Sequence, residues 1–258
     1  MRPLILMIQF MTRYPIPMQI EFTAEHFVRG MKWMPVVGLL CALPAALGFA
    51  VADHWLGRDC AAVTTLILWI TVTGALHLDG IADTADGLFS YRSRERMLEI
   101  MRDSALGVNG VTTLALAILV KFVLLRNLPD SCAVAAVLTA PVLGRMALTW
   151  HAAGASYARN SHGLGDFVNR CGLPQALGAT LISCLLVVPI LAVFGVGGAW
   201  LPLCALLLHL VPIALALLFA RYLKARLGGI TGDTIGASIE LSEMVTLLLF
   251  VLLWKWMP

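Results

Sequence analysis

Charge is what this sequence has least of. Only 13% of its 258 residues are Asp, Glu, Lys or Arg, about half of the roughly 25% typical of soluble domains. So few charges cannot cover a globular surface with solvated groups, which excludes an ordinary soluble enzyme and a disordered tail. The net charge of +3 is too small for a basic face, and no nucleic-acid partner is expected. Six cysteines occur without a CxxC or a paired spacing. They read as small apolar residues rather than as a zinc site or a disulfide framework. No small-residue cleavage site follows the apolar residues 1–17, which argues against a signal peptide and for an interfacial segment.

What the sequence has in abundance is apolar: 60% of residues are hydrophobic and the mean hydropathy is +0.87. The expected fold is all-α, a polytopic membrane bundle forming a single domain over 1–258, with no internal repeat. Charge-free runs place its spans at 33–52, 60–78, 104–125 (interrupted by Lys121), 131–150 (containing Arg145) and 239–256. Residues 171–220 carry no charge at all. One crossing needs about 20 residues, so GVGGAWLP at 195–202 is read as a turn between two helices. That makes seven spans. Pro44, Pro141, Pro189 and Pro212 fall inside them and are read as kinks.

Seven spans sort the basic residues. One side collects Arg2, Arg13, Arg29 and Lys32, then Arg92, Arg94, Arg96 and Arg102, then Arg159 and Arg170, then Arg221, Lys224 and Arg226. The other side has Arg58, Arg126 and Lys255. Thirteen against three is a positive-inside bias, and it predicts a cytoplasmic N-terminus.

The polar residues gather on the same side. HLDGIADTADG at 77–87 puts Asp79, Asp83 and Asp86 at i, i+4 and i+7, on one face of a helix. Stacked like charges raise one another's pKa, and a cation would relieve them. The simpler reading is a solvated helix face, but Gly80, Ala82, Ala85 and Gly87 leave room around the acids where a surface helix would more often carry Lys, Glu or Gln. An all-oxygen donor set suits Mg²⁺ or Mn²⁺. His77 has no second His or Cys at a ligand spacing, so zinc is set aside. Asp103 is a fourth carboxylate that reaches the others if the two helices pack side by side. The arginines between, with Glu95 and Glu99, fit a salt-bridged interfacial helix.

A second polar stretch, GGITGDTIGASIELSE at 228–243, opens as a glycine-rich loop whose backbone N–H groups could approach an anion. Glu240 and Glu243 then enter the last span, where acids favour a helix start or bind metal or a substrate hydroxyl. Segments 77–110 and 227–243 are thus the expected catalytic loops. His151 and His162 flank a further loop and read as satisfied interfacial histidines.

HLDGIADTADG, LEIMRDSALGVNG and GGITGDTIGASIELSE, with FMTRYPIP at 10–17, residues 27–40 and the loop at 157–165, resemble the signature segments of the cobalamin synthase (adenosylcobinamide-GDP ribazoletransferase) family. The similarity runs from about residue 10 to residue 244. It implies an enzyme of the bacterial inner membrane, with its active site facing the cytoplasm. The implied reaction joins adenosylcobinamide-GDP to α-ribazole or its 5′-phosphate and releases GMP, using Mg²⁺. Two-cation clamping of attacking and leaving oxygens suits such a transfer. Asp79, Asp83 and Asp103 are the first candidate ligands, and Asp86 is a fourth ligand or the general base. His77, Arg102, Ser104, Gly228, Gly229, Thr231, Gly232, Asp233, Glu240 and Glu243 are candidate substrate contacts. The resemblance implies a basic residue after MRDS where this chain has Ala105, and Val108 and Asn109 also differ, so either Arg102 or another loop arginine substitutes for that phosphate contact or the contact is dispensable. A homo-oligomer and a complex with other enzymes of cobalamin assembly are both compatible.

Two rivals remain at this stage. A CDP-alcohol phosphotransferase also clusters aspartates at helix ends, though its pattern requires an Arg after Ala82 that is missing here. A transporter would place its acids near the bilayer midplane, often with repeats.

Overall fold

The computed structural model describes residues 1–159 and 164–255; His162 and Trp256 lie outside the described residues. The chain forms α1 (Arg2–Met11), α2 (Ala24–Met31), α3 (Met34–Leu56), α4 (Arg58–Thr73), α5 (Leu76–Leu88), α6 (Arg94–Ile100), α7 (Val108–Arg126), α8 (Ala133–Gly154), α9 (Leu164–Asn169), α10 (Leu173–Val193), α11 (Trp200–Leu227) and α12 (Gly232–Leu253). Among the described residues the only β-pairing is an isolated bridge between Tyr157 and Ile230. Helices α3, α7, α8, α10, α11 and α12 are long and apolar enough to cross a membrane, and α4 with α5 forms a bent pair that makes a seventh crossing if counted as one. The expected turn at 195–202 is there: α10 ends at Val193 and α11 starts at Trp200. Each helix runs on through its internal proline.

The core is built on α8, the most buried of the spans, against which α3, α10, α11 and α12 all pack. Small residues let the helices close up: a side chain on Gly38 of α3 would collide with the backbone of Pro141 in α8. Such small-residue contacts are how helices associate where lipid removes the hydrophobic drive. The opposite pattern marks lipid-facing helices. Leu173, Leu177, Leu181 and Leu185 form an exposed stripe at i+4 spacing along α10. Of the cysteines none is paired; four are buried, Cys184 is half-buried and Cys60 is exposed.

Two elements differ from their sequence expectation. The second span, expected unbroken over 60–78, turns by 89° between α4 and α5. Gly74 (φ 62°) and Ala75 (φ 61°) are both left-handed there. Glycine adopts that conformation freely, whereas alanine carries about 1–3 kcal/mol of strain in it. The backbone N–H of Arg13 donates to the Val72 carbonyl at 2.7 Å, and its guanidinium covers Gly74, so the chain after α1 clamps the bend. The second difference is at α12, which begins at Gly232 rather than near Ile239. Thr231 caps it: its hydroxyl accepts the Thr234 N–H at 3.3 Å, while the Thr234 hydroxyl accepts the Thr231 N–H at 2.9 Å. Reciprocal capping satisfies the free donors of the first turn, and helix continues through what the glycines suggested was loop.

The two ends of the bundle carry charge differently. At one end, Arg58 pairs with Asp53 at 3.0 Å and with Asp130, and Arg126 with Asp59 at 2.6 Å. The opposite end holds α5, α6 and the starts of α7 and α12, and it is there that the acidic motifs meet.

Candidate functional site

Helix α5 does not cross the bundle. After the bend it lies against α12 and the start of α7. The closest approach is at Gly80, where an added Cβ would stand 2.6 Å from the Asp233 carbonyl oxygen; Gly236 of α12 in turn faces His77 and Gly80. Backbone meets backbone, and this brings the acids of the first motif to the acid of the second. Asp79 is exposed, Asp83 is half-buried and Asp86 is buried, in order along α5. Partial burial, then the negative charges of Asp79, Asp233 and Asp86, push the Asp83 carboxyl up to about 7, and Arg159 offsets only part of this. Such a site has negative charge to spare.

Asp233 is held in the first turn of α12, where its Oδ2 accepts from the Thr231 hydroxyl and from the Arg159 guanidinium, both at 3.2 Å. Arg159 also donates to the Leu98 carbonyl, while its Nε is buried without a partner. Sequence reasoning missed Arg159 as a site residue; its only signal was its place in the matched loop at 157–165. Beside it, Arg94, Arg102, Glu95 and Glu99 line a second pocket of about 280 Å³.

Asp86 has another task. Its two carboxylate oxygens accept the backbone N–H groups of Gly107 at 2.7 Å and Gly110 at 2.8 Å. It therefore anchors the N-terminus of α7, where a carboxylate satisfies free donors and the helix dipole together. Both oxygens on which the expected role of fourth ligand or base would draw accept these backbone donors. Asp103 is exposed in the turn before α7, with Arg102 and Ser104, and accepts the Ala105 N–H at 3.0 Å. Among the described residues no three His, Cys, Asp or Glu side chains stand close enough to hold a metal ion by themselves.

In the glycine segment several backbone donors are engaged within the protein. Gly228 is left-handed (φ 76°) and ends α11, and its N–H donates to the Lys224 carbonyl. A side chain on Gly229 would strike the Ser156 carbonyl. The N–H groups of Ile230 and Thr231 are likewise taken, by Ser156 and Thr234. The Ile230 N–H knits the loop to the chain after α8, while the Gly228 and Thr231 N–H groups bond within the ends of their own helices. Arg94 reinforces that knot by donating to the carbonyls of Leu227 at 2.7 Å and Ala158 at 3.0 Å.

Glu240 and Glu243 lie about two and three turns inside α12 and are buried, not at its start. Lys121 of α7 approaches Glu240 at 2.8 Å and also bonds Glu243, which receives Arg145 of α8 as well. Arg145 also meets the Nδ1 of His77 at 3.2 Å. Two acids are thus matched by two bases inside the spans, and His77 is tied to this cluster behind the Asp79–Asp83 face. The two in-span bases, seen in the sequence only as interruptions, are its missed half. His151 is a satisfied core histidine that bridges the Ala216 carbonyl and the Thr234 hydroxyl.

Comparison with known proteins decides the family. A family model described as cobalamin-5-phosphate synthase matches residues 3–251. The chain is 35% identical to the adenosylcobinamide-GDP ribazoletransferase of Acetivibrio thermocellus, covering 98% of both chains. It is 36% identical to that of Fusobacterium nucleatum, again over 98% of both. This chain belongs to the cobalamin-5-phosphate synthase family. No solved structure matches it.

As a cobalamin-5-phosphate synthase family member, the chain is a membrane transferase of cobalamin synthesis. The lipid phosphotransferase and transporter readings give way to this match. The acids that the α5–α12 contact assembles, Asp79, Asp83 and Asp233, come from HLDGIADTADG and GGITGDTIGASIELSE, two of the segments that carry the resemblance. An apolar cleft of about 270 Å³ opens beside them, between α1, α2, α8 and α12, with Asp79 and Asp233 at its polar end.

Proposed function

We propose that the protein transfers the cobinamide-bearing phosphoryl group of adenosylcobinamide-GDP to the ribose hydroxyl of α-ribazole or its 5′-phosphate. The single observation that carries this reading is the meeting of Asp79 and Asp83 with Asp233 at the helix ends. The hydroxyl oxygen forms a bond to the phosphorus that bears cobinamide. The bond from that phosphorus to the GMP oxygen breaks, GMP leaves, and the hydroxyl proton passes to solvent.

The donor set fits Mg²⁺. It is all oxygen, carries excess negative charge, and offers two carboxylates one turn apart. Mg²⁺ is commonly bound by one or two carboxylates plus substrate phosphates, which agrees with side chains that do not form a cage alone. Asp79 and Asp83 would hold the ion, and Asp86 and Asp103 would not. Bound there, it would neutralise charge on the diphosphate and on the leaving oxygen. Asp233, fixed by Thr231 and Arg159, accepts a hydrogen bond from the attacking hydroxyl and orients it. Arg159 and Arg102, with the pocket they line, face the nucleotide phosphates.

The paired arginines at one end of the bundle, and the basic excess at the other, support a cytoplasmic location for the acidic end in the bacterial inner membrane. A water-soluble donor reaches it there without crossing the bilayer. The test is product analysis. Protein in liposomes, given adenosylcobinamide-GDP, α-ribazole and Mg²⁺, forms cobalamin, and a CDP-linked alcohol in place of the donor gives nothing. Turnover of the CDP donor would overturn the assignment.

A further inference from the structure

Apart from Asp79 and Asp233 at its edge, the cleft beside the acids contributes no residue to the phosphoryl chemistry proposed above. Its walls are Phe27, Met31, Met34, Leu148, Val168 and Ile239, all buried. No Lys or Arg lines it, so it offers nothing to a diphosphate. Among the described residues, His77, Asp79 and Asp233 are its polar side chains, and the two acids stand together where α5 meets α12. A ligand for this space has an uncharged, apolar body and a hydroxyl-bearing end.

We propose that the cleft between α1, α2, α8 and α12 seats the azole base of the ribazole acceptor, so that the attached ribose reaches Asp79 and Asp233. The inference rests on the proposed reaction and names the acceptor's subsite within it. At about 270 Å³, the cleft is at the small end of small-molecule sites, which run from roughly 300 to 1,000 Å³. That suits a flat bicyclic base and is too little for an amide-fringed corrin ring. Guanine is a poor occupant, because its polar edges would face thioethers and rings and lose hydrogen bonds they make in water. A phospholipid fits no better, since its phosphate would meet two carboxylates without a cationic side chain. Three methionines, Met11, Met31 and Met34, line the space. Thioethers adapt to flat aromatic partners and make favourable sulfur–ring contacts.

The geometry also explains why chemistry and recognition are separable here. Ile235 lines the cleft from α12 and is only partly buried, at the edge of the core it packs against. Ile235→Trp fills the cleft and Ile235→Ala enlarges it. With Ile235→Trp, the KM for α-ribazole rises by about tenfold or more, a size of effect usual for steric change in an apolar pocket. The KM for adenosylcobinamide-GDP stays within about twofold. With Ile235→Ala, kcat/KM shifts toward a ribonucleoside carrying a bulkier tricyclic base. Calorimetric binding of α-ribazole alone follows the same order, strong in the wild type and lost in Ile235→Trp. A rise in the donor's KM instead, or no change in either KM, would overturn the proposal. If no variant and not even the wild type releases GMP, the reaction assignment fails, and binding of α-ribazole then decides the cleft by itself: retained binding in Ile235→Trp overturns it.

Discussion

The Asp233 carbonyl oxygen occupies the space that a side chain on Gly80 would need, 2.6 Å from an added Cβ. This contact sets the distance between α5 and α12, and so between the Asp79–Asp83 pair and Asp233. Because the obstacle is backbone, it cannot move aside as a flexible side chain would. Gly80→Ala should therefore push the helices apart. A misplacement of about 1 Å at a reacting centre can cost on the order of 100-fold in rate. GMP release should fall by about that factor, while the amount of protein in the membrane is unchanged. Wild-type turnover in Gly80→Ala would mean that the α5–α12 spacing does not position the reaction.

The raised Asp83 carboxyl predicts a pH dependence of stability. The folded protein, without a cation, holds this proton up to about pH 7, whereas the unfolded chain releases it near the ordinary value of 3.8. Between those values the folded state binds more protons, so stability falls as pH rises and levels off above about 7. Thermal unfolding in detergent with chelator, from pH 5 to 8, should show this decline. Mg²⁺ should flatten it, because a bound cation replaces the proton, and so should Asp83→Asn. A decline that Asp83→Asn leaves intact would place its origin elsewhere.

Asp86 holds the start of α7 through Gly107 and Gly110. Asp86→Ala removes an anionic cap and should cost about 0.5–2 kcal/mol. Hydrogen exchange should show faster opening confined to the first turns of α7. On the proposed assignment, in which Asp86 anchors α7 and the ion is held by Asp79 and Asp83, the Mg²⁺ concentration giving half-maximal activity should stay nearly constant. A large rise in that concentration would return Asp86 to the metal site.

The buried cluster of Lys121, Arg145, Glu240 and Glu243 is balanced only as a set. Breaking a buried ion pair from one side leaves an uncompensated charge and costs about 3–5 kcal/mol. Lys121→Met should thus lower thermal stability strongly. Adding Glu240→Gln to it should recover part of the loss, since the surviving Glu243 still has Arg145. Equal additive losses in the double variant would show that the pair is not coupled.

Much of this architecture is legible in the sequence, and the exceptions share one cause. The spans follow from local composition, and the face of α5 follows from acids at i and i+4. The functions of individual acids do not, because they depend on partners far along the chain. Asp83 and Asp86 are three residues apart on one helix, yet one lies beside Asp79 and Asp233 and the other caps α7. Glu243 looks like an acid near a helix start until Lys121, 122 residues away, is placed against it. The glycines of 228–232 suggest an anion cradle, but the sequence does not show that the N–H groups of Gly228, Ile230 and Thr231 are taken by Lys224, Ser156 and Thr234. The bend at Ala75 has no local signal beyond Gly74, since alanine ordinarily favours helix.

The central claim is that transfer occurs where Asp79 and Asp83 face Asp233, and not at the exposed turn carrying Asp103. The most direct test is GMP release by wild type, Asp79→Asn, Asp83→Asn and Asp103→Asn in liposomes, with both substrates and Mg²⁺. The account predicts release that needs both substrates and is abolished by chelator. It predicts losses of roughly 100-fold or more in the first two variants, on the scale of losing a preorganised charge-stabilising group, and near-normal release in Asp103→Asn. Near-normal release in Asp79→Asn and Asp83→Asn, with loss in Asp103→Asn, would contradict it and move the reaction to the turn before α7.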